Sequence, residues 1–158
     1  MRKLSSTSIT GIGIAIEAQP GLPAVTGERD ELIQLFQNLI HNAIKYGREG
    51  GHVWITVGLA EPEDQLFVMV RDDGEGIPPQ AVPRLTERFY RVDVKRSRER
   101  GGTGLGLAIV KHIVSRHQGR LTIESKLGEG STFTVFLPAI GTDLSAKIPA
   151  PAAVTEVL

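Results

Sequence analysis

The sequence predicts an α/β fold, a two-layer sandwich in which a mixed five-stranded sheet carries its helices on one face. Three observations predict it. Apolar residues recur at helical spacing across 28–46 and again across 104–118, while five shorter segments alternate or are rich in β-branched residues. Those strands and helices come in mixed order, which suits helices laid on a sheet better than separate helical and strand halves. At 158 residues with 41% hydrophobic content, the chain supports one compact domain with a substantial core.

Taken in order, "GIGIAIEA" (11–18) alternates in part and predicts the first strand, followed by the Pro/Gly loop "QPGLPAVTG". A long helix is expected from Glu28 to Tyr46, with Gly47 as its stop. "HVWITVGL" and "QLFVMVR" predict two strands turning at "AEPED". A second helix runs from Gly104 to Gln118 with Gly119 after it, and "RLTIESK" and "STFTVFLP" close the domain as a hairpin around "LGEG". The ordered domain is expected over 11–139, with 1–10 as a flexible leader and 140–158, rich in Ala, Pro and small polar residues, as a flexible tail. From about Ile77 to Thr103 the period is lost and charge is high. A loop of that length in a small domain points to function.

Composition excludes several classes. Without cysteine there are no disulfides and no thiolate metal sites, which fits a reducing, cytoplasmic setting. No apolar run approaches a membrane span, and "MRKLSSTSIT" lacks the apolar centre of a signal peptide. Eighteen basic residues balance 18 acidic ones, so no general attraction to nucleic acid is expected. The charge is nevertheless uneven. Seven of those basic residues, Arg84, Arg88, Arg91, Lys95, Arg96, Arg98 and Arg100, fall in one short window. Such a run is most simply a solvated face.

Two polar patterns carry the chemistry. On the first helix, Leu32, Phe36, Leu39, Ile40 and Ala43 share the core face, while Gln34, Asn38, Asn42 and Lys45 recur at helical steps on another. Asparagine is a poor helix former, so two of them on one stripe suggest a purpose beyond solubility. Carboxamide oxygens suit Mg²⁺, which takes its other ligands from water and phosphate, and Lys45 offers a mobile cation for a phosphate. Tyr46 fits equally a face for base stacking or a core aromatic at the helix end. Gly101, Gly102, Gly104 and Gly106 open the second helix, where free backbone N–H groups can meet an anion. The pattern is neither a dinucleotide fingerprint nor a P-loop. A cationic lid, glycine N–H donors and a magnesium stripe together suit a triphosphate. The acidic loop "RDDGEGIP" is wrong for phosphate but right for the exocyclic amino group of adenine, which a carboxylate can accept. Taken alone, it is also compatible with a plain structural turn.

These segments resemble the ATP-binding catalytic domain of sensor histidine kinases, within the superfamily that includes gyrase, HSP90 and MutL. "QNLIHNAIKY" resembles the N box, "DDGEG" the first glycine box and "ERFYRVD" the F box; "GTGLGLAIV" and "GEGSTF" resemble the second and third glycine boxes. The likeness covers about 11–139 and implies the Bergerat-type fold with its left-handed βαβ unit. By position, Asn38 resembles the magnesium ligand, Asn42, Lys45 and Arg91 phosphate contacts, and Tyr46 the adenine neighbour. Asp72 resembles the adenine acceptor, and Asp73 fills a variable slot. Gly74, Gly76, Gly102, Gly104 and Gly106 resemble the pocket glycines, with Ile77, Thr103 and Leu105 beside them. Thr86 stands where many members have a phenylalanine, a wording similar to phosphate-regulon sensor kinases.

The resemblance implies ATP and Mg²⁺ as cofactors and transfer of the γ-phosphate to a histidine on an adjoining dimerisation domain, then to a response regulator. Hydrolysing members carry glutamate where this chain has Gln34, which cannot act as a base, so transfer is favoured over hydrolysis. His41, His52, His112 and His117 all lack the sequence context of a phosphoacceptor. Any membrane attachment would come from parts of a longer protein. A non-catalytic ATP-sensing module and a serine kinase of the anti-sigma type are the alternatives.

Overall fold

The computed structural model describes residues 2–9, 11–60, 65–92, 105–140 and 154–157. The strands are β1 (Arg2–Ile9), β2 (Ile12–Ala18), β3 (His52–Ala60), β4 (Gln65–Asp72), β5 (Arg120–Lys126), β6 (Gly130–Pro138) and β7 (Val154–Val157). The helices are α1 (Arg29–Tyr46) and α2 (Gly106–Arg116), with a 3₁₀ turn at Val82–Arg84. All strands join one mixed sheet in the order β1-β2-β3-β4-β6-β5-β7. The β2–β3 pair is parallel, as the intervening α1 crossover requires, and β3–β4 and β5–β6 are antiparallel hairpins.

The sheet therefore has seven strands where the sequence predicts five. The additional two come from the expected leader and tail: β1 pairs antiparallel with β2, and β7 pairs parallel with β5. Pairing of this kind needs only the free N–H and C=O groups of an edge strand, not an apolar sequence, so composition gives no sign of it.

Both helices lie on one face of the sheet and contact each other. Alternation builds the floor beneath them. Val53 and Ile55, then Val68 and Val70, then Phe133 and Val135, then Leu121 and Ile123 point to the helices from adjacent strands. On α1 the buried line is Leu35, Leu39 and Ala43, while Phe36 and Ile40 are half-buried flanks, so the core face centres on Leu35. Burying Leu35 and Leu39 completely contributes about 1.5–3 kcal/mol each. Gly47 ends α1 in an extended conformation (φ −68°, ψ 170°) rather than a left-handed one.

Helix α2 buries Val110, Ile113 and Val114 and closes with paired reverse bonds: Gly119 N–H to the Val114 carbonyl (2.9 Å) and Gln118 N–H to that of Ser115 (3.1 Å). The left-handed residue there is Gln118, at φ 55°, not the glycine after it. In the segment expected to be an irregular loop, Ala81, Val82, Leu85 and Thr86 are buried, so its first third belongs to the core. Of the basic window, Arg84, Arg88 and Arg91 are described, while Lys95, Arg96, Arg98 and Arg100 lie outside the described residues.

Candidate functional site

At the end of β4, the last position facing the helices is not apolar but Asp72, only 5% exposed. Its cross-strand neighbours on that face are Val53 on β3 and Ser131 on β6, and Ser131 in turn pairs with Ser125 on β5. A polar row, Asp72–Ser131–Ser125, thus follows directly on the apolar row Val70–Phe133–Ile123. Burial pushes the Asp72 carboxyl up to about 6, against hydrogen bonds from the backbone N–H groups of Gly74 (2.9 Å) and Ser131 that favour the charged form. A carboxylate is the stronger kind of hydrogen-bond acceptor when it is charged.

The loop after Asp72 is built for close approach. A Cβ on Gly74 would come within 2.5 Å of the Tyr46 carbonyl oxygen and 3.0 Å of Gly47 Cα, so the loop rests on the C-terminal end of α1. Gly76 takes φ +74°, and a side chain there would collide with the Lys126 carbonyl. The Gly128 N–H bonds the Glu75 carbonyl (2.8 Å), and the Ile77 N–H bonds Ser125 Oγ (2.8 Å). Asp72, Gly74, Gly76, Ile77 and Tyr46 therefore lie together in and around this loop. Tyr46 is 37% exposed at the edge of this group, with the Lys45 ammonium 6.0 Å from its ring centre.

Asp73 has a different fate. Its Oδ1 accepts the His52 backbone N–H (2.8 Å), and its Oδ2 lies 3.3 Å from His52 Nδ1. Burial pushes this carboxyl up, but the His52 backbone N–H and imidazole outweigh it and leave it below its ordinary value. The variable slot is a clamp on the start of β3. His52 also stacks on Trp54 (5.4 Å).

Two turns of α1 back from Tyr46 is Asn38, roughly 12 Å along the helix axis. Its Oδ1 stands 4.0 Å from where a Cβ on Gly106 would be, at the first residue of α2, and its Nδ2 is buried without a hydrogen-bond partner among the described residues. A buried carboxamide left unsatisfied at a helix N-terminus fits a site that a ligand completes. Among those residues no cluster of three His, Cys, Asp or Glu could hold a metal. A cation here would rest on the carboxamide, water and phosphate oxygens, the pattern Mg²⁺ prefers. Asn42 lies between the two ends, half-buried.

Arg91 is half-buried near the end of a described segment, and the F-box stretch before it is braced by the Arg84 guanidinium over the Tyr90 ring (4.4 Å) and by Arg84 on Glu87. Leu105 and Gly106 stand at the start of α2, whereas Gly102, Thr103 and Gly104 lie outside the described residues. No sequence pattern marks Ser125 or Ser131, and His117, without a phosphoacceptor context, reads from the sequence as a surface or boundary histidine. The last is no boundary histidine: its buried ring joins the two helices, Nδ1 donating to the Ile113 carbonyl (2.8 Å) and Nε2 accepting the Glu28 N–H (3.0 Å).

The family described as "Histidine kinase-, DNA gyrase B-, and HSP90-like ATPase" matches residues 27–140. Sensor histidine kinase WalK of Bacillus subtilis is 46% identical over 111 residues, 70% of this chain and 18% of the relative. The phosphate regulon sensor protein PhoR of Pseudomonas aeruginosa is 46% identical over 137 residues, 86% of this chain and 30% of the relative. This chain spans less than a third of either. Among solved structures, the mycobacterial sensor histidine kinase MprB superposes with TM-score 0.70 at 30% identity, covering 82% of this chain and 83% of that one. Full-length ShkA in complex with AMPPNP gives TM-score 0.71 at 31% identity, covering 82% and 26%.

Proposed function

Because the chain belongs to the histidine kinase-, DNA gyrase B- and HSP90-like ATPase family, we propose that it is the ATP-binding half of a sensor histidine kinase. It takes Mg-ATP and delivers the γ-phosphate to a histidine on a dimerisation domain outside this chain. A response regulator then receives the group. The observation that carries this reading is Asp72: a carboxyl buried against its own ionisation, at the rim of a glycine-built loop that abuts the end of α1. Burial of that kind is costly in a fold and useful in a site.

In this reading Asp72 accepts the adenine amino proton, with Tyr46 and Ile77 as walls of the base pocket. Helix α1 carries the nucleotide along its polar stripe, so that the phosphates reach Asn42, Lys45 and the start of α2. Asn38 would hold Mg²⁺, which when bound supplies neutralising charge for the phosphates. Lys45, Arg91 and the backbone N–H groups at Leu105 and Gly106 orient the diphosphate as it leaves. The neutral imidazole nitrogen of the acceptor attacks the γ-phosphorus, the bond to the β–γ bridging oxygen breaks, ADP departs, and the imidazole loses its proton to water. No protein base is needed for a nucleophile that is neutral at working pH. Gln34, exposed one turn before Asn38, gives an attacking water no base.

The test supplies the missing half. With γ-labelled ATP, this chain and a dimerisation domain bearing the acceptor histidine, acid-labile label should accumulate on that domain only when Mg²⁺ is present. Nucleotide binding without labelling of any cognate acceptor domain would reduce the chain to a sensing module.

A further inference from the structure

We propose that Ser125 is a positioning residue for the base end of the site, one that sets how sharply adenine is read. The inference rests on the reading of Asp72 as the adenine acceptor and adds a residue to the same pocket.

The argument is one of hydrogen-bond accounting. Ser125 is buried and its hydroxyl meets three groups: the Ile77 N–H (2.8 Å), the Gly130 carbonyl (3.1 Å) and Ser131 Oγ (2.9 Å). A hydroxyl has one proton and two lone pairs. The Gly130 carbonyl can only accept, so it takes the Ser125 proton. The Ile77 N–H can only donate, so it takes one lone pair. The remaining lone pair must receive the Ser131 proton. Every valence of Ser125 is filled, and the Ser131 hydroxyl is left with its proton turned away from Asp72.

That direction matters because Ser131 stands opposite Asp72 in the sheet register, both on the face toward the helices. With its hydroxyl proton committed to Ser125, Ser131 meets the carboxylate through its backbone N–H alone, and the remaining acceptor capacity of Asp72 stays open to a ligand donor. Ser125 also fixes Ile77 at the far end of the same loop. One buried hydroxyl therefore holds both the wall of the pocket and the polarity of its floor. In Ser125→Ala the Ile77 N–H loses its acceptor, and the Ser131 proton is free to swing onto Asp72. Ser125→Thr keeps the hydroxyl and is the conservative control.

The experiment measures affinity for ATP, ADP and GTP by calorimetry on the wild-type chain, Ser125→Ala and Ser125→Thr, with thermal denaturation alongside. Ser125→Ala should weaken ATP and ADP alike, on the order of ten-fold, while GTP changes little, so that the ATP/GTP ratio narrows. Ser125→Thr should restore most of that ratio. A general loss of packing would lower all three nucleotides together and leave the ratio intact, and that outcome overturns the proposal. So does an unchanged ratio in a folded Ser125→Ala chain that binds ATP as the wild type does. A wild-type chain with no preference for adenine would instead overturn the reading of Asp72, and this inference with it.

Discussion

His117, at the end of α2, accepts the backbone N–H of Glu28 at the start of α1 across 89 positions of sequence. Because Nδ1 donates to the Ile113 carbonyl, the ring is held with its proton on Nδ1 and its Nε2 lone pair facing α1. No side chain of Glu28 caps α1 itself, so the histidine does the capping from outside. His117→Ala should cost about 0.5–2 kcal/mol of stability, the range for a lost helix cap. Urea denaturation measures that. Nucleotide affinity of the folded variant should stay near wild type, because the latch lies at the other end of α1 from Tyr46 and the Asp72 loop.

In its proposed role, Asp72 sets stability against ligand binding. Burial pushes its carboxyl up to about 6 in the fold, from an ordinary value near 3.8. Between those values the folded chain binds the extra proton, so stability falls as pH rises through the window and levels off above it. That rise corresponds to about 3 kcal/mol at most. Asp72→Asn, which keeps an acceptor for the Gly74 N–H, should therefore be more stable than wild type at pH 8. The gap should close near pH 4. Paired denaturation curves at the two pH values check this, and a variant less stable than wild type at pH 8 would contradict it.

Adenine binding should follow the opposite trend. A ligand donor prefers the ionised carboxylate, so ATP affinity should decline as pH falls below about 6. A titration of affinity against pH reports the midpoint. A flat profile from pH 5 to 8 would separate Asp72 from the ligand.

Asp73 should behave as the mirror image of its neighbour. Its carboxyl lies below the ordinary value through His52, so it stabilises the fold above the unfolded carboxyl pKa, and that contribution is lost as pH falls through the folded one. Asp73→Asn should lower the melting temperature at neutral pH and leave the preference for ATP over GTP unchanged. Loss of base preference in this variant, with Asp72→Asn silent, would place the acceptor one residue later.

The core of the fold and the outline of the site were legible because they rest on local patterns. Alternation marked β3, β4, β5 and β6, and two asparagines on a helix stripe were odd enough to notice without any partner in view. What stayed hidden depends on pairing between distant segments. Ser125 and Ser131 are ordinary strand residues until β4, β6 and β5 align them in a row with Asp72. His117 reads as a helix-end histidine until α1 arrives beside it. The edge strands β1 and β7 pair through backbone alone, which no side-chain pattern reports. The apolar stripe of α1 yields Leu39 and Ala43 but not Leu35, because a wide stripe does not say which of its residues meets the sheet.

In the proposed function one nucleotide spans α1, with its base read at Asp72 and its phosphates and magnesium handled at Asn38. The most direct measurement is the affinity for ATP with and without Mg²⁺ in wild type, Asp72→Asn and Asn38→Ala. Asp72→Asn should lose about 1–3 kcal/mol equally in both conditions, the cost of a mispaired buried group. Asn38→Ala should bind ATP without magnesium much as wild type does and lose the gain that magnesium brings. If instead the two variants lost the same amount in the same conditions, or if magnesium still strengthened ATP binding to Asn38→Ala in full, the proposed assignment of Asp72 to the base and Asn38 to the metal would be contradicted.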